Sequence, residues 1–281
     1  MNFFSAAEVT ANCVPMGEEK VKYPAYKTLF LGVLAGMLIA LAAATSNTAV
    51  HDIANIGLAR MTAGLLFPFG LAMVIVAGAE LFTGSCLIAV SVLARRITLL
   101  RMLKNWLLVY FGNFVGSFLV AAACAWSGQL HYSGNALAAY TIKTAAAKCS
   151  LGFGNAIVLG IFCNLLVCLG VFMALSAKDQ AGRVLGAYLP TAFFVICGFE
   201  HCIANMYYIP AGIFAAGIPQ YAAKALELGV HTESLTWGNF FLANLLPVTL
   251  GNIVGGVALG AVMWICRMRG DPSTKRRNHA E

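Results

Sequence analysis

One stretch decides the fold of this chain: Gly198-Phe199-Glu200-His201-Cys202-Ile203-Ala204-Asn205-Met206-Tyr207-Tyr208-Ile209-Pro210-Ala211-Gly212. It lies within residues 184–223, a segment of 40 residues that contains no Lys or Arg. A straight helix crosses the hydrocarbon core of a membrane in about 20 residues, so this segment is too long for a single crossing. We expect a helix that enters the membrane, breaks and resumes, with the break where glycine, proline and polar residues cluster.

The same segment contains one acid, Glu200, and one imidazole, His201. Ionisable groups at membrane depth are expensive, so they usually face a cavity and have a function there. The alternative is a buried polar pair that only fixes helix packing. We favour a functional pair, in which the imidazole donates or relays a proton and the carboxylate sets its orientation or tautomer.

The composition indicates a polytopic membrane protein, because 60% of the 281 residues are hydrophobic and only 10% are charged. We predict six spans, at residues 28–48, 61–94, 104–127, 151–177, 185–215 and 237–266. One membrane domain, 28–266, then lies between a polar N-terminal segment, 1–27, and a basic tail, 267–281. No signal peptide is evident, since acidic residues precede the first apolar run.

The net charge of +7 is distributed unevenly: 14 of the 18 basic residues fall on one side of the predicted spans. By the positive-inside rule, both termini are cytoplasmic. The basic excess therefore indicates topology and not nucleic-acid binding. We expect the inner (plasma) membrane of a bacterium or archaeon.

The nine cysteines include no Cys-x-x-Cys pair, and most of them lie inside predicted spans. They are expected to behave as small apolar residues. No complete set of metal ligands and no nucleotide-binding or cofactor motif is visible. We therefore expect no metal, no cofactor and no enzymatic activity.

Three pairs of matching segments indicate an internal duplication. Gly-Asn-x-Val-Gly begins at residues 112 and 251, Gly-x-Glu ends at Glu80 and Glu200, and Leu-Gly occurs at 31–32 and 159–160. They recur in the same order, so the repeated unit has three spans. Because three is odd, the second copy enters the membrane from the opposite side. We predict an inverted repeat with broken helices in spans two and five, and a central site where the breaks meet. Thr83, Gly84 and Ser85 are the expected break in span two.

Six stretches together resemble the formate/nitrite transporter family, and they touch every span except the first. They are residues 198–206, 79–84, 104–106, 110–113, 163–168 and 246–252. The resemblance implies an aquaporin-like, all-α fold, one pore in each protomer and a homopentamer. It implies a central histidine, here His201, that faces Thr83 of the second span.

The resemblance also implies further pore residues. Lys148 matches a basic residue ahead of span four, with an ordinary snorkelling anchor at the membrane surface as the alternative. Asn164 and Asn205 match polar pore residues. Two apolar constrictions are expected on either side of the centre. Phe194, Leu71 and Leu81 are assigned to the inner one, Phe67 and Val167 to the outer one, and Phe82 is a further constriction candidate.

Members of this family carry formate, nitrite or hydrosulfide, which are all conjugate bases of weak acids. A bare anion cannot cross apolar rings cheaply, whereas protonation removes its charge. We favour formate, with hydrosulfide or nitrite as alternatives. A neutral-solute pore for water or ammonia is the alternative from another functional class. A membrane enzyme is disfavoured, because no nucleophile motif is visible beside Glu200 and His201. The expected partners are a small anion, protons and membrane lipids.

Overall fold

The computed structural model describes residues 3–268, and the predicted basic tail lies almost entirely outside that range. Six helices are long and apolar enough to cross a membrane: 25–50, 56–76, 99–126, 153–176, 180–197 and 237–267. The prediction of an all-helical chain with six apolar helices is confirmed. Predicted and observed helix starts differ by up to five residues. Predicted spans two and five end 18 residues beyond helices 56–76 and 180–197, because each prediction includes the break and the helices that follow it.

The helices follow one another along the chain with short connections. They are α1 (Ala6–Lys20), α2 (Ala25–Val50), α3 (Ile56–Leu66), α4 (Phe69–Val76), α5 (Phe82–Ser85), α6 (Ala89–Leu93), α7 (Leu99–Trp126), α8 (Tyr132–Cys149), α9 (Phe153–Ser176), α10 (Gln180–Cys197), α11 (Cys202–Ala216), α12 (Pro219–Glu227), α13 (Trp237–Asn239) and α14 (Leu246–Arg267). A π-helical segment, 240–245, joins α13 to α14. We call the end of the molecule with connections 21–24, 94–98 and 177–179 the basic face.

Non-helical segments occur at 77–81 and at 198–201. Each contains a glycine in the left-handed region at or near its start, Gly78 at φ +63° and Gly198 at φ +73°. The expected interruption at Thr83 and the two residues after it is wrong, because these residues form α5. In the later segment, Pro210 and Gly212 lie inside α11 and do not mark the break.

The N-terminal segment is more ordered than its polarity suggests. A capping box between Ser5 and Glu8 starts α1, which runs for 15 residues. Val9 and Cys13 are buried, and the Ser91 hydroxyl donates to the backbone oxygen of Cys13 at 3.2 Å. This helix therefore packs on the membrane domain, whereas the sequence indicated only a polar segment ahead of that domain.

Small residues let two pairs of helices, α2 with α7 and α9 with α14, come into backbone contact. An added Cβ at Gly36 would collide with the backbone of Asn113, and one at Gly116 with that of Val33. Such close approach is typical of helix packing in lipid.

We expect Gly116→Ala to destabilise the protein by about 1–3 kcal/mol, because the added methyl group meets backbone that cannot move aside. Gly154→Ala is the matched control, since an added Cβ at Gly154 has no neighbour within 4 Å. Thermal unfolding of the two variants in detergent measures the difference. Equal melting temperatures would contradict this account of the packing.

Candidate functional site

A buried asparagine fixes the non-helical segment 198–201. The Asn252 amide donates to the backbone oxygens of Gly160 at 2.8 Å and Glu200 at 2.9 Å. Its side-chain oxygen accepts from the Cys202 backbone N–H at 2.9 Å. These bonds satisfy backbone groups that have no water available, so the segment is held in one conformation.

Asn113 performs the same task for the segment 77–81. Its amide donates to Gly32 at 2.8 Å and Glu80 at 2.9 Å, and its oxygen accepts from the Phe82 N–H at 2.9 Å. The repeated Gly-Asn motif therefore positions both acid-bearing segments.

His201 lies at the start of α11 and is only 3% exposed. Its Nδ1 accepts the backbone N–H of Ala204 at 3.1 Å, and its Nε2 is 3.0 Å from the Thr83 hydroxyl. Because Nδ1 acts as an acceptor, the proton of a neutral ring is on Nε2. The structure thus brings Thr83 and His201 together, as the sequence predicted.

Glu200 does not orient the imidazole, which corrects our expectation. One carboxylate oxygen accepts from the Lys148 ammonium at 2.8 Å, and the other accepts from the Asn205 amide at 2.6 Å. Ala204 and Thr83 orient His201 instead. The Lys148 side chain is 17% exposed and turns inward, so it is not a membrane-surface anchor.

Asn164 is fully buried in α9 and lies beneath Thr83. Its amide donates to the backbone oxygens of Thr83 at 3.3 Å and Asn252 at 2.6 Å. It does not line the large cavity described next, so its contacts place it behind the site.

A cavity of about 710 Å³ opens on the side away from the basic face. His201, Glu200, Asn205 and Lys148 line it, and the rings of Phe67 and Phe194 are among its aromatic walls. Other lining residues that the sequence analysis did not single out are Asn47, Arg60, Tyr140 and Lys143. Two polar atoms among the lining residues have no hydrogen-bond partner in the described chain, Asn47 Nδ2 and Asn205 Oδ1.

Phe67 and Phe194 form one aromatic contact in this cavity, with ring centroids 5.8 Å apart and an edge-to-face arrangement. The Phe194 ring also stacks on the imidazole of His201 at 5.8 Å. The assignment of Phe194 to the other constriction, with Leu71 and Leu81, is therefore wrong. The packing of α10 against α3 and α4 brings these two rings together, which spacing along the chain does not reveal.

The remaining constriction candidates are buried outside the cavity. Val167, which was assigned to the outer constriction with Phe67, is among them, so the structure does not support that grouping. Leu71 lies beside Gly170 of α9, one turn beyond Val167, and Leu81 precedes α5. Phe82 packs against the rings of Trp106 and Tyr110 of α7, at 5.9 and 4.8 Å. Phe82 is therefore a packing residue in this structure.

A second buried ion pair lies toward the basic face. The Lys20 ammonium at the end of α1 donates to both carboxylate oxygens of Glu80 at 2.7 Å. Sequence analysis missed it. The signal was present, since the spacing that relates the two Leu-Gly pairs also relates Lys20 to Lys148.

Within residues 3–268, no group of three or more His, Cys, Asp and Glu side chains could hold a metal ion. The fold and the site define a multi-pass membrane protein with buried ion pairs and an imidazole at the base of an open cavity. This is the architecture of a membrane transport protein.

The chain belongs to the formate/nitrite transporter family, whose sequence pattern matches residues 7–266. It is 38% identical to the formate channel FocA of Haemophilus influenzae over 261 residues, which cover 90% of this chain and 92% of that protein. It is 34% identical to a probable formate transporter of Methanothermobacter thermautotrophicus, over 94% of this chain and 96% of that protein.

Two solved structures have the same fold. One is a pentameric formate channel with formate bound, at TM-score 0.76 and 35% identity, covering 87% of this chain and 98% of that one. The other is an ion channel of the same family, at TM-score 0.79 and 26% identity, covering 92% and 98%. The family and these neighbours are channels and transporters and not enzymes.

Proposed function

We propose that this protein is a membrane channel for a small monovalent weak-acid anion, with formate as the first candidate. The observation that carries the proposal is the cavity that ends on His201, with the Lys148–Glu200 pair in its wall. The names of its relatives support formate. The pore residues are His201, Thr83, Glu200, Asn205 and Lys148.

The proposed path of the anion passes between the two copies of the internal repeat. Segments 77–81 and 198–201 are held by equivalent asparagines, and each carries a buried Glu–Lys pair on its own side of the centre. This equivalence supports an aquaporin-like inverted repeat in which the two helix breaks meet near the midplane. The path then runs through one protomer, past Phe67 and Phe194 and on past Leu71, Leu81 and Val167.

The cavity is suited to an arriving anion, because Arg60 and Lys143 line it and make no ion pair in the described chain. Positive walls raise the local concentration of anions. Beyond them, the two phenyl rings make passage of a charged species expensive. Protonation near His201 converts the anion into a neutral acid that can pass.

His201 can respond to the anion itself. A second proton on the ring requires Nδ1 to release the Ala204 amide, and nothing in the resting site offsets that loss. An anion at Nε2 in place of Thr83 would stabilise the doubly protonated ring and could then take the Nε2 proton. Loss of the Nε2 proton leaves a neutral ring that is protonated on Nδ1. Nδ1 then gives that proton to water and Nε2 takes one from water, which restores the Ala204 bond and lets the imidazole act as a proton relay.

A flux panel tests the choice of substrate. In vesicles that contain the purified protein, we expect formate uptake to exceed chloride uptake by at least about a hundredfold, since chloride cannot be neutralised by a proton. Hydrosulfide, nitrite and acetate belong in the same panel, because the first two remain alternatives. Rapid water or ammonia flux with no formate flux would instead support the neutral-solute pore.

We also propose a homopentamer, which the pentameric structural neighbour supports. Native mass spectrometry in mild detergent should show five copies, and a dominant monomer or dimer would contradict it.

For the orientation in the membrane, we propose that the basic face is cytoplasmic. Residues 1–27 and 267–281 are then inside the cell, and the chain lies in the inner membrane. Access of an impermeant label to a cysteine placed at Lys22 from outside the cell would overturn that orientation.

A further inference from the structure

A second cleft lies at the basic face, between the connection 21–24 and the first turns of α2 and α7. Its volume is about 310 Å³. It is lined by Lys20, Val21, Lys22, Tyr23, Ala25, Thr28, Arg101, Lys104, Asn105 and Leu108. None of these residues lines the cavity above His201, so the cleft is a separate feature of the surface.

The cleft carries positive charge that nothing in the described chain neutralises. Of its four basic residues, only Lys20 is paired, with Glu80. Lys22, Arg101 and Lys104 are exposed and make no ion pair with any residue between 3 and 268. No acidic residue lines the cleft. A group with negative charge is therefore attracted to it.

The start of α2 adds to this attraction. Ala25, the first residue of α2, lines the cleft, and the helix runs for 26 residues without a side-chain cap at its N-terminus. The free N–H groups and the positive end of the helix dipole favour an anion there, and phosphate is the anion that such sites commonly hold.

The surface that continues from the cleft is apolar. On α7, Leu107 and Phe111 follow Lys104 on the same face and are 70% and 57% exposed. On α2, Tyr26 and Phe30 are 67% and 69% exposed. Where no neighbouring protomer covers them, such surfaces of a membrane-spanning chain face acyl chains. The ligand that fits both the basic cleft and the apolar surface beside it has an anionic head and long apolar tails.

We propose that this cleft binds an anionic phospholipid, with its phosphate between Lys22, Arg101 and Lys104 and its acyl chains along α2 and α7. Basic pockets between membrane helices at the cytoplasmic side are suited to such headgroups. An inorganic anion would contact only the basic cleft and not the apolar surface beside it. The proposal does not depend on which solute the pore carries.

Lipid retention tests the proposal directly. The intact assembly is reconstituted in equal amounts of phosphatidylglycerol and phosphatidylcholine, extracted in mild detergent, and its bound lipids are counted by native mass spectrometry. Wild type should retain phosphatidylglycerol preferentially. Arg101→Gln/Lys104→Gln should lower that preference about tenfold, since each basic residue near the surface contributes to the attraction.

The matched control is Arg95→Gln/Arg267→Gln, which removes two exposed basic residues of the same face that do not line the cleft. It should retain the preference within about twofold. An equal loss in both double variants, or no loss in either, would overturn the site. If the first variant does not assemble, Lys22→Gln, outside the helices, replaces it with the same expectation.

Two further measurements separate the lipid from other ligands. Millimolar inorganic phosphate should not displace the retained lipid, and displacement would show a site for a free anion instead. Formate uptake by Arg101→Gln/Lys104→Gln in pure phosphatidylcholine vesicles should equal wild type. A fall in uptake there would make the cleft part of the transport path and contradict the proposal.

Discussion

Lys148→Met should lower formate uptake at least about tenfold and destabilise the folded assembly by about 3–5 kcal/mol. The loss of uptake follows from the loss of a cation in the cavity wall. The loss of stability follows because Glu200, which is 5% exposed, would keep a buried charge with only the Asn205 amide as partner. Uptake into vesicles and thermal unfolding in detergent measure the two effects.

A double variant separates them. Lys148→Met/Glu200→Gln removes both charges, so most of the stability should return while uptake stays low, because a buried pair can be replaced by neutral groups more safely than broken. Lys224→Met is the control, since it breaks a pair with Glu227 whose carboxylate side chain is 64% exposed, and it should cost less than about 1 kcal/mol. If Lys148→Met behaves like this control in both measurements, the ion pair has neither role.

His201→Phe should reduce uptake by about a hundredfold or more, the range expected when a positioned acid–base group is lost. Phenylalanine keeps a flat ring against Phe194 but cannot accept the Ala204 N–H or bond Thr83. Initial rates of labelled formate uptake, normalised to assembled protein, measure the effect.

Two other histidines provide controls for that variant. His51→Phe changes a residue that lines the same cavity but bonds Ser133 and the Thr48 backbone at its rim. His231→Phe changes a residue in an exposed connection. Both should stay within about threefold of wild type, since neither contacts the central site. Equal losses in all three variants would show that His201 has no special part in transport.

The helices could be predicted from the sequence, because apolar length is a local signal. The isolated ionisable groups Glu200 and His201 were also visible in the sequence, and both line the cavity. The pairing of those residues could not. Glu200 and His201 are neighbours in the chain, yet the turn into α11 sends the carboxylate to Lys148 and the imidazole to Thr83. Which partner a buried group finds depends on helices distant in sequence.

The position of the first break shows a second limit. Thr83 and its neighbours have the composition of an interruption, but Asn113 caps the Phe82 N–H and lets α5 begin there. The break moves back to Gly78, whose left-handed conformation no larger residue adopts as readily. A tertiary hydrogen bond thus overrides local propensity.

The assignment of residues to the two constrictions was wrong for a related reason. Phe67 and Phe194 are far apart in the chain and touch because α10 packs against α3 and α4. Lys20 was overlooked because a polar N-terminal segment gave no reason to expect a helix docked on the membrane domain. The internal duplication contained that information, since the spacing that yields Lys148 also yields Lys20.

The proton relay at His201 is the central claim, and the ratio of protons to formate taken up tests it most directly. Vesicles with wild-type protein or His201→Asn carry a pH-sensitive dye, and labelled formate is added across a range of external pH. Wild type should acidify the lumen in proportion to the formate that enters, faster at lower external pH. His201→Asn, assembled to the same extent, should take up formate more slowly, with fewer protons per formate and a flatter pH dependence. If both proteins show the same rate, ratio and pH dependence, His201 is a structural residue and the relay is wrong.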